Sequence, residues 1–191
     1  MATGATIHRA DLSIADMDRN YYANHSLTIA RHPSETPERL MVRLLAFALH
    51  ADPALEFGRG LSSDDEADLW KRDLTGLIDL WIDVGLPEEK WLRKASARSR
   101  QVVVLAYGGS KADQWWKRNE GDLGRLDNLA VHALPPAASA GLAALADRSM
   151  RLNVTVQESQ VWIGSDASEA SLQLLTLKPG GVLTPPRYLP P

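Results

Sequence analysis

The sequence predicts an α/β (α+β) fold, a mixed β-sheet flanked by helices with an added antiparallel β extension, and three observations carry that expectation. Residues 68–83 read as a β-hairpin. The unbroken apolar run Val102 to Tyr107, set between two helical segments, reads as a strand buried on both faces and therefore central. Strands of alternating polarity stand at both ends of the chain.

The elements follow in order. Ala5 to Asp16 alternates, with Ala10, Leu12 and Ile14 on one face, and after a polar turn at Asp16 to Asn20 a second strand at His25 to Arg31 completes an antiparallel pair. Thr36-Pro37 is an N-cap followed by proline at the first helical position, and Leu40, Met41, Leu44, Leu45 and Ala48 recur at helical spacing up to about His50. Ala51 to Glu66, with Gly58, Gly60 and a Ser-Ser-Asp-Asp-Glu run, reads as a loop into the hairpin. Gly85-Leu-Pro87 turns the chain into a helix from about Glu88 to Arg100, acidic at its start and basic at its end. Gly108-Gly109 closes the central strand. Ser110 opens another helix with a capping-box-like pattern, and Leu126 to Leu134 is the next strand. An alanine-rich helix at Ala137 to Asp147 precedes three short strands, Leu152 to Gln157, Val161 to Ile163 and Leu172 to Leu177, which form the antiparallel extension. One domain is expected over residues 1–178, and residues 179–191, rich in Pro and Gly, read as a flexible tail.

At 191 residues the chain is long enough to bury a full core without staples. It contains no cysteine, which excludes disulfides, thiolate catalysis and thiolate metal sites and leaves carboxylate, imidazole and water as ligands. No apolar run approaches the roughly 20 residues of a membrane span, and the N-terminus has no signal-peptide pattern, so a cytoplasmic bacterial protein is expected. A net charge of −3 argues against broad nucleic-acid binding, so any such site would be a local patch. The five histidines show no paired metal spacing.

The hairpin holds the sharpest chemical signal. With a two-residue turn at Thr75-Gly76, Leu74 faces Leu77, Arg72 faces Asp79, Trp70 faces Trp81 and Asp68 faces Asp83, while Ile78, Leu80 and Ile82 make an apolar stripe on the other face. The ion pair and the aromatic pair are favourable, but two opposed carboxylates have Cβ atoms about 4.5–5.5 Å apart and repel. That conflict invites a divalent cation. Asp79 is excluded from sharing it, because four residues of strand span about 13 Å. Glu38 in the first helical turn, with Glu35 just outside, is the natural third acid. Lys90 and Lys94 lie one turn apart on the helix after Gly85, near enough for an ammonium to serve a metal-bound water.

Ile29-Ala-Arg-His-Pro-Ser-Glu-Thr36 with Glu38-Arg39, Gly76-Leu-Ile-Asp-Leu-Trp-Ile-Asp-Val-Gly85 with Pro87, Lys94-Ala95, and Ala106-Tyr-Gly108 leading to Trp115-Trp116 together resemble the YaeQ family of small bacterial proteins. The resemblance runs from the first strand to about Leu177. It implies a variant of the PD-(D/E)XK nuclease core in which Glu38, Asp68 and Asp83 bind Mg²⁺ or Mn²⁺. Gly85 stands where that pattern has its lysine, and Lys94 from the following helix is the replacement; Ala67 stands where a proline would precede Asp68. The function expected is metal-dependent phosphodiester hydrolysis, with Glu38, Asp68, Asp83 and Lys94 catalytic and Arg39, Arg43 and Arg98 tracking a nucleic-acid backbone. The alternative is a nuclease-like fold used as a binding or regulatory module.

Overall fold

The computed structural model describes residues 4–59 and 65–180. Two mixed sheets and four helices stack in layers. The five-stranded sheet is built from β1 (Thr6–Asp16), β2 (Tyr21–Arg31), β8 (Ser149–Gln157), β9 (Gln160–Gly164) and β10 (Glu169–Gln173), in the order β10-β9-β8-β1-β2. The six-stranded sheet has β3 (Leu55–Phe57), β4 (Leu69–Arg72), β5 (Ile78–Val84), β6 (Ser99–Ala106), β7 (Leu129–Ala133) and β11 (Leu175–Lys178), in the order β11-β7-β6-β5-β4-β3. Its three central strands β5, β6 and β7 are parallel.

Helix α1 (Pro37–Leu49) and α4 (Pro136–Ala144) lie between the sheets. Their position explains an oddity of α1, in which every residue from Leu40 to Ala48 is buried: a helix with a sheet on each side has no solvent face. Thr36 caps it as expected, accepting from the Arg39 amide at 3.1 Å. At its other end Arg19, from the β1–β2 turn, donates to the carbonyls of Ala48 at 3.4 Å and Ala51 at 3.3 Å, which closes the helix against the five-stranded sheet. Helices α2 (Glu89–Arg98) and α3 (Ser110–Leu123) cover the far face of the six-stranded sheet, where Leu92, Ala95, Trp115 and Leu123 pack on Ile78, Trp81, Val102, Val104 and Val131.

Several expectations are corrected. The loop expected over residues 51–66 contains β3, too short and irregular in polarity to show period-two alternation. Gly109 rather than Ser110 is the N-cap of α3, at φ 59°, and no side chain caps that end. The strand expected at Leu172 to Leu177 is two strands in different sheets: β10 ends at Gln173, and β11 crosses to the edge of β7. The extension β8-β9-β10 is continuous with β1-β2 because β8 runs parallel to β1. The proline-rich tail, from residue 181 on, lies outside the described residues.

The hairpin turn also differs. Its loop has three residues, Leu74 to Gly76: Gly76 N–H donates to Asp73 O at 3.0 Å, and Gly76 sits at φ 88°. Arg72 therefore pairs with Ile78, not Asp79, and Asp73 rather than Leu74 lies opposite Leu77. The Asp73 carboxylate organises the loop, accepting from the Thr75 and Leu77 amides at 2.8 and 3.0 Å. A register shift beyond Arg72 leaves Asp79 without a cross-strand partner and restores the expected alignment, with Trp70 opposite Trp81. The same bulge moves Ile78 out of the stripe of Leu80 and Ile82 and onto the Trp81 side. Asp79 takes Arg100 as its cation at 3.3 Å, while Arg72 lies 3.7 Å over the Trp70 ring.

Where β3 meets β4, a Cβ on Gly58 would stand 2.0 Å from the Ala67 carbonyl oxygen, one residue before Asp68. Gly58→Ala should therefore force the strands apart and cost about 2–3 kcal/mol in urea unfolding. Gly76→Ala, with open space around its Cβ, should cost only the positive-φ penalty of about 1 kcal/mol. Equal losses would mean that the β3–β4 contact yields freely.

Candidate active site

The carboxyl ends of parallel strands are where open α/β sheets place their ligand crevices, and here the ends of β5 and β6 carry Asp83 to Gly85 and Tyr107. The β4–β5 register continues outward to Asp68, whose amide donates to Asp83 Oδ1 at 3.4 Å. Asp83 Oδ2 accepts from Trp81 Nε1 at 2.9 Å, a bond between neighbours two apart on one strand face. Asp68 Oδ2 accepts from the Val84 amide at 2.8 Å. The Asp83 carboxylate thus lies against the Asp68 backbone and within the field of the Asp68 charge, at the level of the hairpin where the register brings the two residues together.

A chain of ion pairs reaches them from α1. Arg43, 1 % exposed, forks onto Glu35 through Nε at 2.8 Å and Nη2 at 2.9 Å, and the same Nη2 donates to the Ala30 carbonyl. Arg39 bridges Glu35, at 3.3 Å, and Asp68 Oδ1, at 2.5 Å. Glu35, Arg39 and Arg43 stand four apart, so one side of the helix start presents an acid followed by two cations that both reach back to it. That i, i+4, i+8 spacing is the sequence signal for the network, and three of its four members are buried.

Electrostatics follow from this geometry. Burial first, and the adjacent charge of Asp68 second, push Asp83 from the ordinary carboxylate value of 3.8 up to about 7; the Trp81 hydrogen bond, the Asp68 amide and Arg39 oppose this only in part. Tyr107, whose ring edge would lie 3.7 Å from a Cβ on Gly85, is pushed up to about 12 by burial, Arg39 opposing and the charges of Glu38, Asp68 and Glu35 adding. Tyr107 keeps its proton throughout the neutral range and is a hydrogen-bond donor beside the acids.

The expected site residues separate into those the fold gathers and those it does not. Asp68, Asp83 and Arg39 are gathered. Glu38, half-buried on the first turn of α1, lies within electrostatic reach of Tyr107, but no group of three acids or histidines close enough for one metal ion occurs among the described residues. Lys94 does not reach the acid pair. It binds Asp65 and lies 5.6 Å from the Trp91 ring centroid, and Arg98 shares Asp65 at 3.2 Å. Lys90 pairs with Glu88 at 2.8 Å. Arg43, expected on a surface tracking a backbone, is buried in the Glu35 pair. Tyr107 and the structural role of Glu35 were not expected.

The sequence profile of the YaeQ protein family matches residues 1–174. The uncharacterized protein YaeQ of Escherichia coli (strain K12) is 42% identical over 174 residues, covering 91% of this chain and 96% of its own. Its counterpart in Salmonella typhi is 41% identical over the same shares. Two crystal structures match the fold: a YaeQ protein from Xanthomonas axonopodis pv. citri, with 55% identity and a TM-score of 0.89, covering 91% of this chain and 98% of that one, and a YaeQ protein from Pseudomonas syringae, with 34% identity and a TM-score of 0.86, covering 93% and 98%. The chain belongs to the YaeQ family.

Two outcomes follow from the site. Glu35→Gln leaves Arg43 buried without its counter-charge and should cost about 3–5 kcal/mol in urea unfolding. Asp83 binds its proton more tightly in the folded chain than in the unfolded one, so its contribution to stability is present in acid and lost as the pH rises from about 4 towards about 7, at a slope of at most about 1.4 kcal/mol per pH unit. Asp83→Asn should remove that slope, leaving the variant more stable than the parent at pH 8 and closely matched at pH 4. Parallel melting-temperature curves for the two proteins across this range would contradict it.

Proposed function

We propose that this member of the YaeQ family is a Mg²⁺- or Mn²⁺-dependent phosphodiester hydrolase with a nuclease-like core, acting on nucleic acid at a local site. The observation that carries the reading is the pairing of Asp68 with Asp83, whose buried carboxyl accepts from the Asp68 amide and is pushed up to about 7 by burial and by the Asp68 charge. Two oxygen ligands, one of which gives up a proton at about pH 7, suit a hard dication that takes the place of that proton. Asp68 and Asp83 would hold the ion, with water in the remaining positions. When bound, it would supply charge stabilisation at the phosphoryl oxygens and a more acidic water.

The other roles belong to the chain itself. Arg39, 18% exposed and already held at Asp68, presents a guanidinium to a phosphate oxygen. Tyr107 donates from its hydroxyl beside it. Lys94, 44% exposed, would have to leave Asp65 to serve the attacking water, and Arg98, which shares Asp65, is the cation offered to the substrate backbone. A second reading is favoured by two observations: Arg39 is already the cation of Asp68, and Gly85 stands where a catalytic lysine is expected. In that reading the protein is a nuclease-fold binding or regulatory module whose acids serve the structure.

Calorimetry with Mg²⁺ and Mn²⁺ separates the two. Hydrolysis requires one ion per chain, bound at least about tenfold more weakly by Asp83→Asn, and an ion at 100 times its dissociation constant should stabilise the parent by about 2.7 kcal/mol. Lys94→Ala should then abolish Mn²⁺-dependent cleavage of single- or double-stranded substrate and shift stability by less than about 0.5 kcal/mol. Absence of ion binding would overturn the hydrolase reading and leave the module reading.

A further inference from the structure

The four sheet edges formed by the described residues are treated unequally. β10 is five residues long, β3 three, and β11 four with a register shift between Thr176 and Lys178. Short and irregular edges are how folded proteins avoid pairing with other chains. β2 is the exception. It runs for 11 residues, matches β1 residue for residue from Thr6–Arg31 to Asp16–Tyr21 without a bulge, and has no other strand partner among the described residues.

Two features mark this edge as unfinished. On β1 the inward residues His8, Ala10, Leu12, Ile14 and Asp16 are all buried, but on β2 the same face leaves Tyr21, Ala23, His25 and Leu27 half-exposed. From Tyr21 to Ala30 the strand carries no Asp, Glu, Lys, Arg or Pro, the residues that normally protect an edge. Burial also holds the His25 imidazole below its ordinary range, so the stretch from Tyr21 to Ala30 stays uncharged at neutral pH and Arg31 at its end is the one charge of β2.

We infer that β2 is a homodimerisation edge, on which a second copy of this chain adds its own β2 in antiparallel register about a twofold axis. Such an interface is isologous, so the half-exposed inward residues of one copy meet the same residues of the other. An uncharged stretch meets its own copy without like-charge repulsion, whereas a charged peptide partner would find no complementary charge along it. The area sets the strength. A strip about 37 Å long and about 10 Å deep buries about 370 Å² per copy, or about 740 Å² in all, below the roughly 1,200 Å² of stable complexes, so the association should be weak, reversible and populated only at high protein concentration.

Sedimentation of the full chain over a concentration series tests this. The parent should shift from monomer to dimer as the concentration rises, and Asn24→Lys with Thr28→Lys, both on the exposed outer face of β2, should remain monomeric with an unchanged melting temperature. Mixing that variant with one carrying Asn24→Glu and Thr28→Glu should restore a dimer containing one chain of each. A parent that stays monomeric at the highest concentration, or a lysine variant that associates as the parent does, overturns the proposal.

Discussion

The site depends on one buried ionic relay. Glu35, just ahead of α1, stands between two arginines of that helix, and each serves a different purpose. Arg43 ties the glutamate to the β2 carbonyl of Ala30, while Arg39 carries the charge outward to Asp68. Buried charges are expensive unless paired and hydrogen-bonded. Here the cost is met by forks and bridges, and the result is to hold the start of a helix enclosed between two sheets against the outer ends of β4 and β5. Arg39 pairs with Asp68 directly and acts on Asp83 only through its field, so burial, the largest cause, still holds the Asp83 carboxyl well above the ordinary carboxylate range.

Much of the fold was legible because the local signals agreed with the tertiary outcome. The Thr36 cap, the central strand at Val102 and the β1–β2 pair all rest on short-range chemistry. The misses have physical causes. β3 is a three-residue strand that exists only by pairing with β4, and β10 and β11 are cut apart by a change of sheet that leaves no mark on a continuous apolar run. In the hairpin, the three-residue loop and the unpaired strand position of Asp79 displace the register in opposite senses. Trp70 and Trp81 therefore meet as expected, although Arg72 and Asp79 do not.

The candidate site was legible to the same extent. The juxtaposition of Asp68 and Asp83 lies on the same restored register as Trp70 and Trp81, so it holds although the turn is one residue longer than expected. The contact expected of Lys94 does not hold, because periodicity states which face of α2 a side chain occupies but not which acid it meets, and Asp65 lies nearer than the pair. Arg43 was read as a surface cation because arginine is rarely buried; its i+8 spacing from Glu35 was the signal that it would be.

The proton on Asp83 is the quantity most directly tied to this arrangement. NMR of the side-chain carboxyl carbon of Asp83, titrated in the intact protein without divalent ions, should give a midpoint near 7, moving higher in Arg39→Met, where the opposing guanidinium is gone. A midpoint near the ordinary 3.8, unchanged by that substitution, would contradict both the burial of the carboxylate pair and the role given to the relay.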